Sequence, residues 1–189
     1  MSVFGIIKSD EKVFTGDKIR FDFRQSFLTP DEVLAAAPNY QASFDGGTTY
    51  LDVTTAKQID FIYSTAGVKT VKLKITAVSG AVTFTKTVTV LDLTTQKLFT
   101  NDSDLYKLEP EIDAYLPKKW SSWNLIHLQA QEWIMDWLDE SRIYKTGSQK
   151  YVVADVVDIR QVKQLSAYKA LEFIFEGNSN IVGDLFSIK

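Results

Sequence analysis

Thr70-Val71-Lys72-Leu73-Lys74-Ile75-Thr76 alternates apolar and polar side chains without a break, with Val71, Leu73 and Ile75 on one face. Side chains that repeat every second residue mark a strand half-buried against a core. Ser79-Gly80 supplies a turn, and Ala81 to Val90 resumes the alternation with Val82, Phe84, Val88 and Val90 on the even positions. The threonines and valines of this stretch suit a pleated surface. Upstream, Lys18 to Arg24 places Ile19, Phe21 and Phe23 on one face, Asn39 to Phe44 runs into the turn Asp45-Gly46-Gly47, and Gln58 to Tyr63 precedes Ser64-Thr65-Ala66-Gly67. Short strands separated by Gly, Asp and Ser turns predict a β-sandwich. Thr29 to Ala37 interrupts them and reads as a short helix, with Thr29 as N-cap and Pro30 in the first turn.

The period changes after Val90. Asp92 to Thr100 reads as a linker. Asp102 or Ser103 then caps a helix through Tyr115, which Pro110 kinks or divides and Pro117 ends. Ser121-Ser122 caps a second helix to about Ser141, with an apolar series Trp123, Ile126, Ala130, Trp133, Ile134, Trp137 and Leu138. Tyr144 to Lys150 is a loop around Gly147, followed by an extended piece at Tyr151-Val152-Val153. A third helix from near Asp155 to Gly177 carries Val162, Leu165, Tyr168, Leu171, Ile174 and Phe175, and Asn178 to Lys189 forms a tail.

The chain has 189 residues, 45% of them hydrophobic and 13% aromatic, which is enough for a core and argues against global disorder. Residues 1–92 hold 10 basic and 10 acidic side chains, and residues 93–189 hold 11 and 14. Neither part has the basic excess of a phosphate-neutralising face. Cysteine is absent, which removes disulfides, thiolate metal sites and a cysteine nucleophile. Met1 to Phe14 lacks the basic start and apolar run of a signal peptide, and no apolar stretch approaches ~20 residues, so neither export nor a transmembrane helix is expected.

Several residues could carry chemistry. Asp136 and Glu140, four apart, share a helix face and could do acid–base work or hold a metal; a solvated face is the other reading. Glu109 and Glu111 are two apart and do not share one. His127 is the sole histidine. A nucleophilic triad would need it as base beside a serine such as Ser122; otherwise it is a hydrogen-bonding or interface residue. The glycines form no phosphate loop. Asp45-Gly46-Gly47 lacks the spacing of an EF-hand, although Asp45 or Asp52 could contribute to a calcium site at the edge of the β part. All four tryptophans (Trp120, Trp123, Trp133, Trp137) fall within 120–137. They could form core, an interface or, against the acidic surroundings, a base-stacking platform.

Two resemblances follow. Over about residues 10–92, Tyr40-Gln41-Ala42-Ser43-Phe44-Asp45-Gly46-Gly47 and then Phe61 to Thr76 resemble a PKD-type Ig-like domain. Tyr63, Gly67, Val71, Leu73 and Ile75 match its Tyr, Gly and alternating strand, and Tyr40 to Gly47 approximates its Trp-x-Phe-Gly-Asp-Gly. Such modules are adhesive or spacer domains. Over about 98–189, Asp104-Leu105, Glu109-Pro110-Glu111-Ile112, Tyr115-Leu116-Pro117, the Trp-rich helix, and Tyr168, Leu171, Ile174 and Phe175 resemble the helical head–tail connector (adaptor) proteins of tailed phages.

The expected fold class is therefore two-domain: an all-β Ig-like sandwich over 1–92, followed by an all-α helical connector domain over 93–189 with its tail. The connector resemblance implies a structural virion protein without catalytic residues or cofactors. It implies a homo-oligomeric ring, a dodecamer in that family, assembled in the host cytoplasm and placed at the head–tail junction. Its partners there are the portal protein and tail or neck proteins, with no membrane, no sequence-specific nucleic acid, and proximity to the DNA channel. The alternative is a surface- or carbohydrate-binding module with an Ig-like domain, and an enzyme with a carboxylate site is the third. Ile181, Val182, Leu185, Phe186 and Ile188 of the tail, with Trp120, are the expected partner interface. Five apolar side chains in twelve residues need cover, from a partner or from the chain's own helices.

Overall fold

The computed structural model describes residues 3–29, 37–141, 150–156 and 159–182. The chain divides into two compact units, Met1–Asp92 and Leu93–Lys189.

The first unit is built on strands. β1 (Val3–Phe4) pairs with β4 (Phe27–Leu28), and β3 (Lys18–Asp22) pairs antiparallel with β7 (Gln58–Ile62). A five-stranded sheet has the order β2 (Lys12–Phe14), β9 (Gly80–Leu91), β8 (Gly67–Ala77), β5 (Asn39–Ser43), β6 (Leu51–Asp52). β8 and β9 form its centre as a long hairpin, in register from Gly67↔Val90 to Ala77↔Gly80. Gly80 closes the turn at φ +120°, a conformation that L side chains rarely adopt. β2 runs parallel to β9 and the other ladders of this sheet are antiparallel.

Alternation decides which face is dry. Val71, Leu73 and Ile75 of β8 are fully buried, in one cluster with Ile19 and Phe21 of β3 and with Phe23, Tyr40 and Val88. The cluster thus joins the five-stranded sheet to the β3–β7 pair, as in a sandwich. Phe44 extends it by stacking on Phe61 at 4.4 Å and leaning on Phe21 at 5.0 Å. Burying each such side chain contributes ~1.5–3 kcal/mol relative to exposure.

The second unit begins with the short helix α1 (Leu93–Gln96). α2 (Asp102–Leu108) follows, with the Asn101 N–H donating to the Asp104 carboxylate at 3.1 Å. Pro110 divides the expected 102–115 helix: α2 stops, and a separate 3-10 turn covers Ile112–Tyr115. α3 (Asn124–Glu140) packs on α4 (Ile159–Val182). Ala130 of α3 and Ala167 and Ala170 of α4 lie buried in the same cluster as Leu105, Ile112, Trp123 and Ile174, and their small side chains let the helices approach closely.

The fold class expected from sequence, an all-β domain followed by an all-α domain, is corrected. The chain is of mixed class: a β-sandwich or half-barrel over the first ~90 residues, then a helical region that 3-10 turns and irregular segments interrupt. Pro110 and the 3-10 turn Ile112–Tyr115 break the expected 102–115 helix, and the helix expected from near Asp155 to Gly177 instead covers Ile159–Val182, taking in the first residues of the expected tail. The apolar series of α4 holds in part: Ile174 is buried and Leu171 packs against the core, whereas Leu165, Tyr168 and Phe175 are exposed and Ser166, Ala167 and Ala170 are buried instead. Small residues, which an apolar pattern passes over, make much of the contact. The expected helix at 29–37 and the loop around Gly147 fall largely outside the described residues, and the extended piece at 151–153 runs into the 3-10 turn Val153–Asp155.

Candidate functional site

The long β8–β9 hairpin has two faces. Val82, Phe84, Val88 and Val90 point one way along β9, which leaves Thr83, Thr85, Thr87 and Thr89 on the other. Thr87 sits opposite Thr70 of β8, and Thr89 opposite Lys12 of β2. Threonine is suited to such a surface, since its branched Cβ favours the strand while its hydroxyl faces water.

A groove of about 610 Å³ lies on this face, lined by Glu11, Thr70, Thr85, Lys86, Thr87 and Thr89. Every lining side chain is a hydroxyl or a charge. Local pairing fixes its walls: the Thr89 N–H donates to the Glu11 carbonyl at 2.9 Å, and the Thr70 carbonyl accepts from the Gly46 N–H at 3.1 Å. Lys86 stands at an even position, opposite Val71, and its ammonium donates to the Ser9 carbonyl at 2.8 Å. Lys72 stands opposite Thr85 and Lys12 opposite Thr89, so the threonine face also carries ammonium groups beside the groove. Four hydroxyls, each able to donate and accept, supply its hydrogen-bonding capacity.

The residues singled out from sequence lie elsewhere. His127 is fully buried on α3. Its Nδ1 lies 2.8 Å from the Thr100 hydroxyl and its Nε2 3.1 Å from Asp102 Oδ1, and the Thr100 hydroxyl lies 3.3 Å from that of Ser166. The serine considered for a triad, Ser122, instead accepts the Asn124 N–H at 3.3 Å near the start of α3. The groups around His127 thus tie the start of α2 to α3 and α4. Thr100 is 3% exposed, which leaves its hydroxyl no open approach. Asp136 and Glu140 are exposed on α3.

Asp45 is occupied by its own turn. It accepts from the Ser43 hydroxyl at 2.6 Å and from the N–H groups of Thr48 and Thr49, both at 2.9 Å, and the Ser43 hydrogen bond above all holds its carboxyl well below the usual range. Asp52 accepts the Thr54 N–H at 2.8 Å. Among the described residues no group of three or more His, Asp or Glu side chains is placed to hold a metal ion, and no helix is long and apolar enough to cross a membrane.

The tryptophans divide. Trp133 and Trp137 are exposed at 38% and 44%. Trp120 is half-buried and meets Trp123 edge-on at 6.3 Å. Both line a small, mostly apolar groove of about 190 Å³ with Tyr115, Phe173, Ile174 and Gly177. Of the expected interface residues, Ile181 and Val182 belong to the end of α4, and Leu185, Phe186 and Ile188 lie outside the described residues. Sequence reading missed both the threonine groove and the network around His127. The odd-position threonines at 83–89 were a visible signal for the first. The second joins positions far apart in the chain, and nothing in the sequence marks it.

No protein-family model matches the chain, and no curated protein matches it. Among solved structures, it is similar to a carbohydrate-binding module of the β-sandwich superfamily, at 23% identity and a TM-score of 0.41, over 49% of this chain and 35% of the other. It is also similar to the PKD domain of the human VPS10 domain-containing receptor SorCS2, at 17% identity and a TM-score of 0.35, over 49% of this chain and 74% of the other. The chain thus spans about a third of the length of the first of these. Neither of the two is a head–tail connector, and with both TM-scores below 0.5 neither match bears on what this chain binds.

Proposed function

We propose that the protein is a non-catalytic binding module whose β unit takes a hydroxyl-rich ligand, a carbohydrate, on the outer face of the β8–β9 hairpin. The observation that carries this reading is the groove of about 610 Å³ lined only by hydroxyl and charged side chains. Its volume falls in the ~300–1,000 Å³ range of small-molecule sites. Its lining is wrong for an apolar ligand, which would desolvate the hydroxyls without pairing them. Sugar hydroxyls donate and accept as threonine does, and the Glu11 carboxylate can accept from a vicinal diol. No aromatic ring lines the groove, so binding rests on hydrogen bonds worth ~0.5–1.5 kcal/mol each net of water. Affinity should therefore be weak, on the order of millimolar.

A glycan array probed with the full chain, and with Thr85→Val/Thr87→Val, tests this. Valine keeps the shape and removes the hydroxyl. The wild type should bind a subset of glycans, and the variant should lose roughly tenfold in affinity, the worth of one to two such bonds. Failure to bind any glycan, or equal binding by the variant, refutes the reading.

A second reading concerns the helical unit, where Trp133 and Trp137 stand one turn apart and exposed on α3. Large exposed aromatics mark interaction surfaces. The ring-forming connector role implied by the family resemblance would use such a face against further copies of the chain. Native mass spectrometry tests it: a closed oligomer that Trp137→Glu disperses supports it, and a monomer at all concentrations rejects it.

A further inference from the structure

Beside the threonine groove, the same sheet face carries a pair of ammonium groups that narrows the kind of ligand the face can take. Val71, Leu73 and Ile75 of β8 turn inward, so Lys72 and Lys74 between them stand on the outer face. The register surrounds the pair with neutral side chains. Lys72 lies between Thr85 of β9 and Ser43 of β5, and Lys74 between Thr83 and Gln41. The loop after β5 comes up to both lysines. Gly47 holds φ +103°, and a Cβ on it would lie 2.9 Å from the Lys72 ammonium and 3.3 Å from the Tyr50 hydroxyl. The Lys74 ammonium stands over the Tyr50 ring, 5.8 Å from its centre. Asp45 and Asp52, the acidic residues of this loop and of β6, are each held by hydrogen bonds of their own turn. Among the described residues neither ammonium forms an ion pair with a carboxylate.

We propose that the glycan bound on this face is an acidic one, whose carboxylate or sulfate is taken by Lys72 and Lys74 while its hydroxyls bond Thr85 and Thr87. This rests on the carbohydrate reading and adds the charge of the ligand. Charge complementarity carries it. Two ammonium groups on alternate residues of one strand stand roughly 7 Å apart at the strand rise, and an anion between them relieves their repulsion. Neighbouring strands lie ~4.8 Å apart, so Lys72 rises one strand away from Thr85, within the span of a single sugar unit. Both lysines are half-buried, which limits the side-chain freedom lost when their ammonium groups hold a ligand. The Tyr50 hydroxyl, beside the Lys72 ammonium, can donate to the same acid group.

Matched oligosaccharides separate the charge from the sugar. The full chain is titrated calorimetrically at low ionic strength with trigalacturonate and its methyl ester, and with sulfated and unsulfated maltotriose. The first pair reports on a carboxylate and the second on a sulfate. In at least one pair the acidic member should bind about fivefold more tightly, the worth of two exposed ion pairs. That advantage should vanish at about 1 M salt, where the Debye length is ~3 Å. Lys72→Gln/Lys74→Gln should bring the acidic member down to its neutral partner, and an unchanged affinity for the neutral partner shows that the variant is folded. Equal binding within both pairs overturns the acidic inference and leaves the carbohydrate reading standing. So does binding of none of the four by a chain that binds a neutral glycan on the array. No binding here or on the array overturns both. A preference that survives in the lysine variant overturns the inference, as does an oligothymidylate of equal charge that binds as tightly as the acidic sugar.

Discussion

Asp22 shows how single side chains report on the β unit. Its carboxylate accepts from the Arg24 backbone N–H at 2.9 Å, from the Arg24 guanidinium at 2.6 Å and from Gln58 at 3.1 Å, and the Arg24 hydrogen bonds above all lower its pKa to about 2. The unfolded chain titrates near ~3.9. A depressed folded-state pKa adds stability that is complete above the unfolded value and is lost as pH falls from there through about 2. Asp22→Asn should therefore destabilise the protein at pH 7, and the difference from wild type should shrink between pH 4 and pH 2. Urea melts at three pH values check this, and a pH-independent difference contradicts it. Gly5 is a packing counterpart. A Cβ there would overlap the Phe84 ring. Gly5→Ala should cost ~1–3 kcal/mol by overpacking, read from the urea midpoint at unchanged slope. Leu73→Ala, at a fully buried position, should cost ~2–5 kcal/mol.

Elements show what the sequence could and could not reveal. β8 and β9 were legible because Val71, Leu73 and Ile75 alternate with polar residues, and a half-buried strand has no other way to present them. β1 and β4 are two residues each, too short for any period to register. The parallel pairing of β2 with β9 joins residues 77 apart, such as Lys12 and Thr89, a long-range choice that local pattern does not encode. In the helical unit the helices themselves were legible, and so was much of the buried face of α3, where Ile126, Ala130 and Ile134 are buried as their spacing implies, but that of α4 was legible only in part. Tyr168 and Phe175 suggested the inward side of α4, whereas Ser166, Ala167 and Ala170 occupy it. Of the site residues, Trp120 lines a groove, and His127 takes the hydrogen-bonding role that was one of its two readings. The network around His127 makes a prediction of its own. Thr100→Val removes the hydroxyl 2.8 Å from His127 Nδ1 and leaves a buried nitrogen without its partner. The expected loss is ~1–3 kcal/mol in chemical denaturation. Ser166→Ala, further from its neighbour at 3.3 Å, should cost less.

At the scale of the whole molecule, one chain carries a β unit whose outer sheet face is polar and recessed and a helical unit whose surface keeps tryptophans exposed. The account's central claim is that the threonine groove is a ligand site rather than a solvated sheet face. Chemical-shift mapping tests it most directly. A soluble oligosaccharide selected on the glycan array is titrated into the isotope-labelled full chain to tens of millimolar. The account predicts saturable shifts in the amide and methyl signals of Thr70, Thr85, Thr87 and Thr89, fitted by one millimolar dissociation constant and abolished by Thr85→Val/Thr87→Val. Shifts that grow linearly without saturating, or that cluster on residues of the helical unit while those four threonines stay fixed, would contradict it.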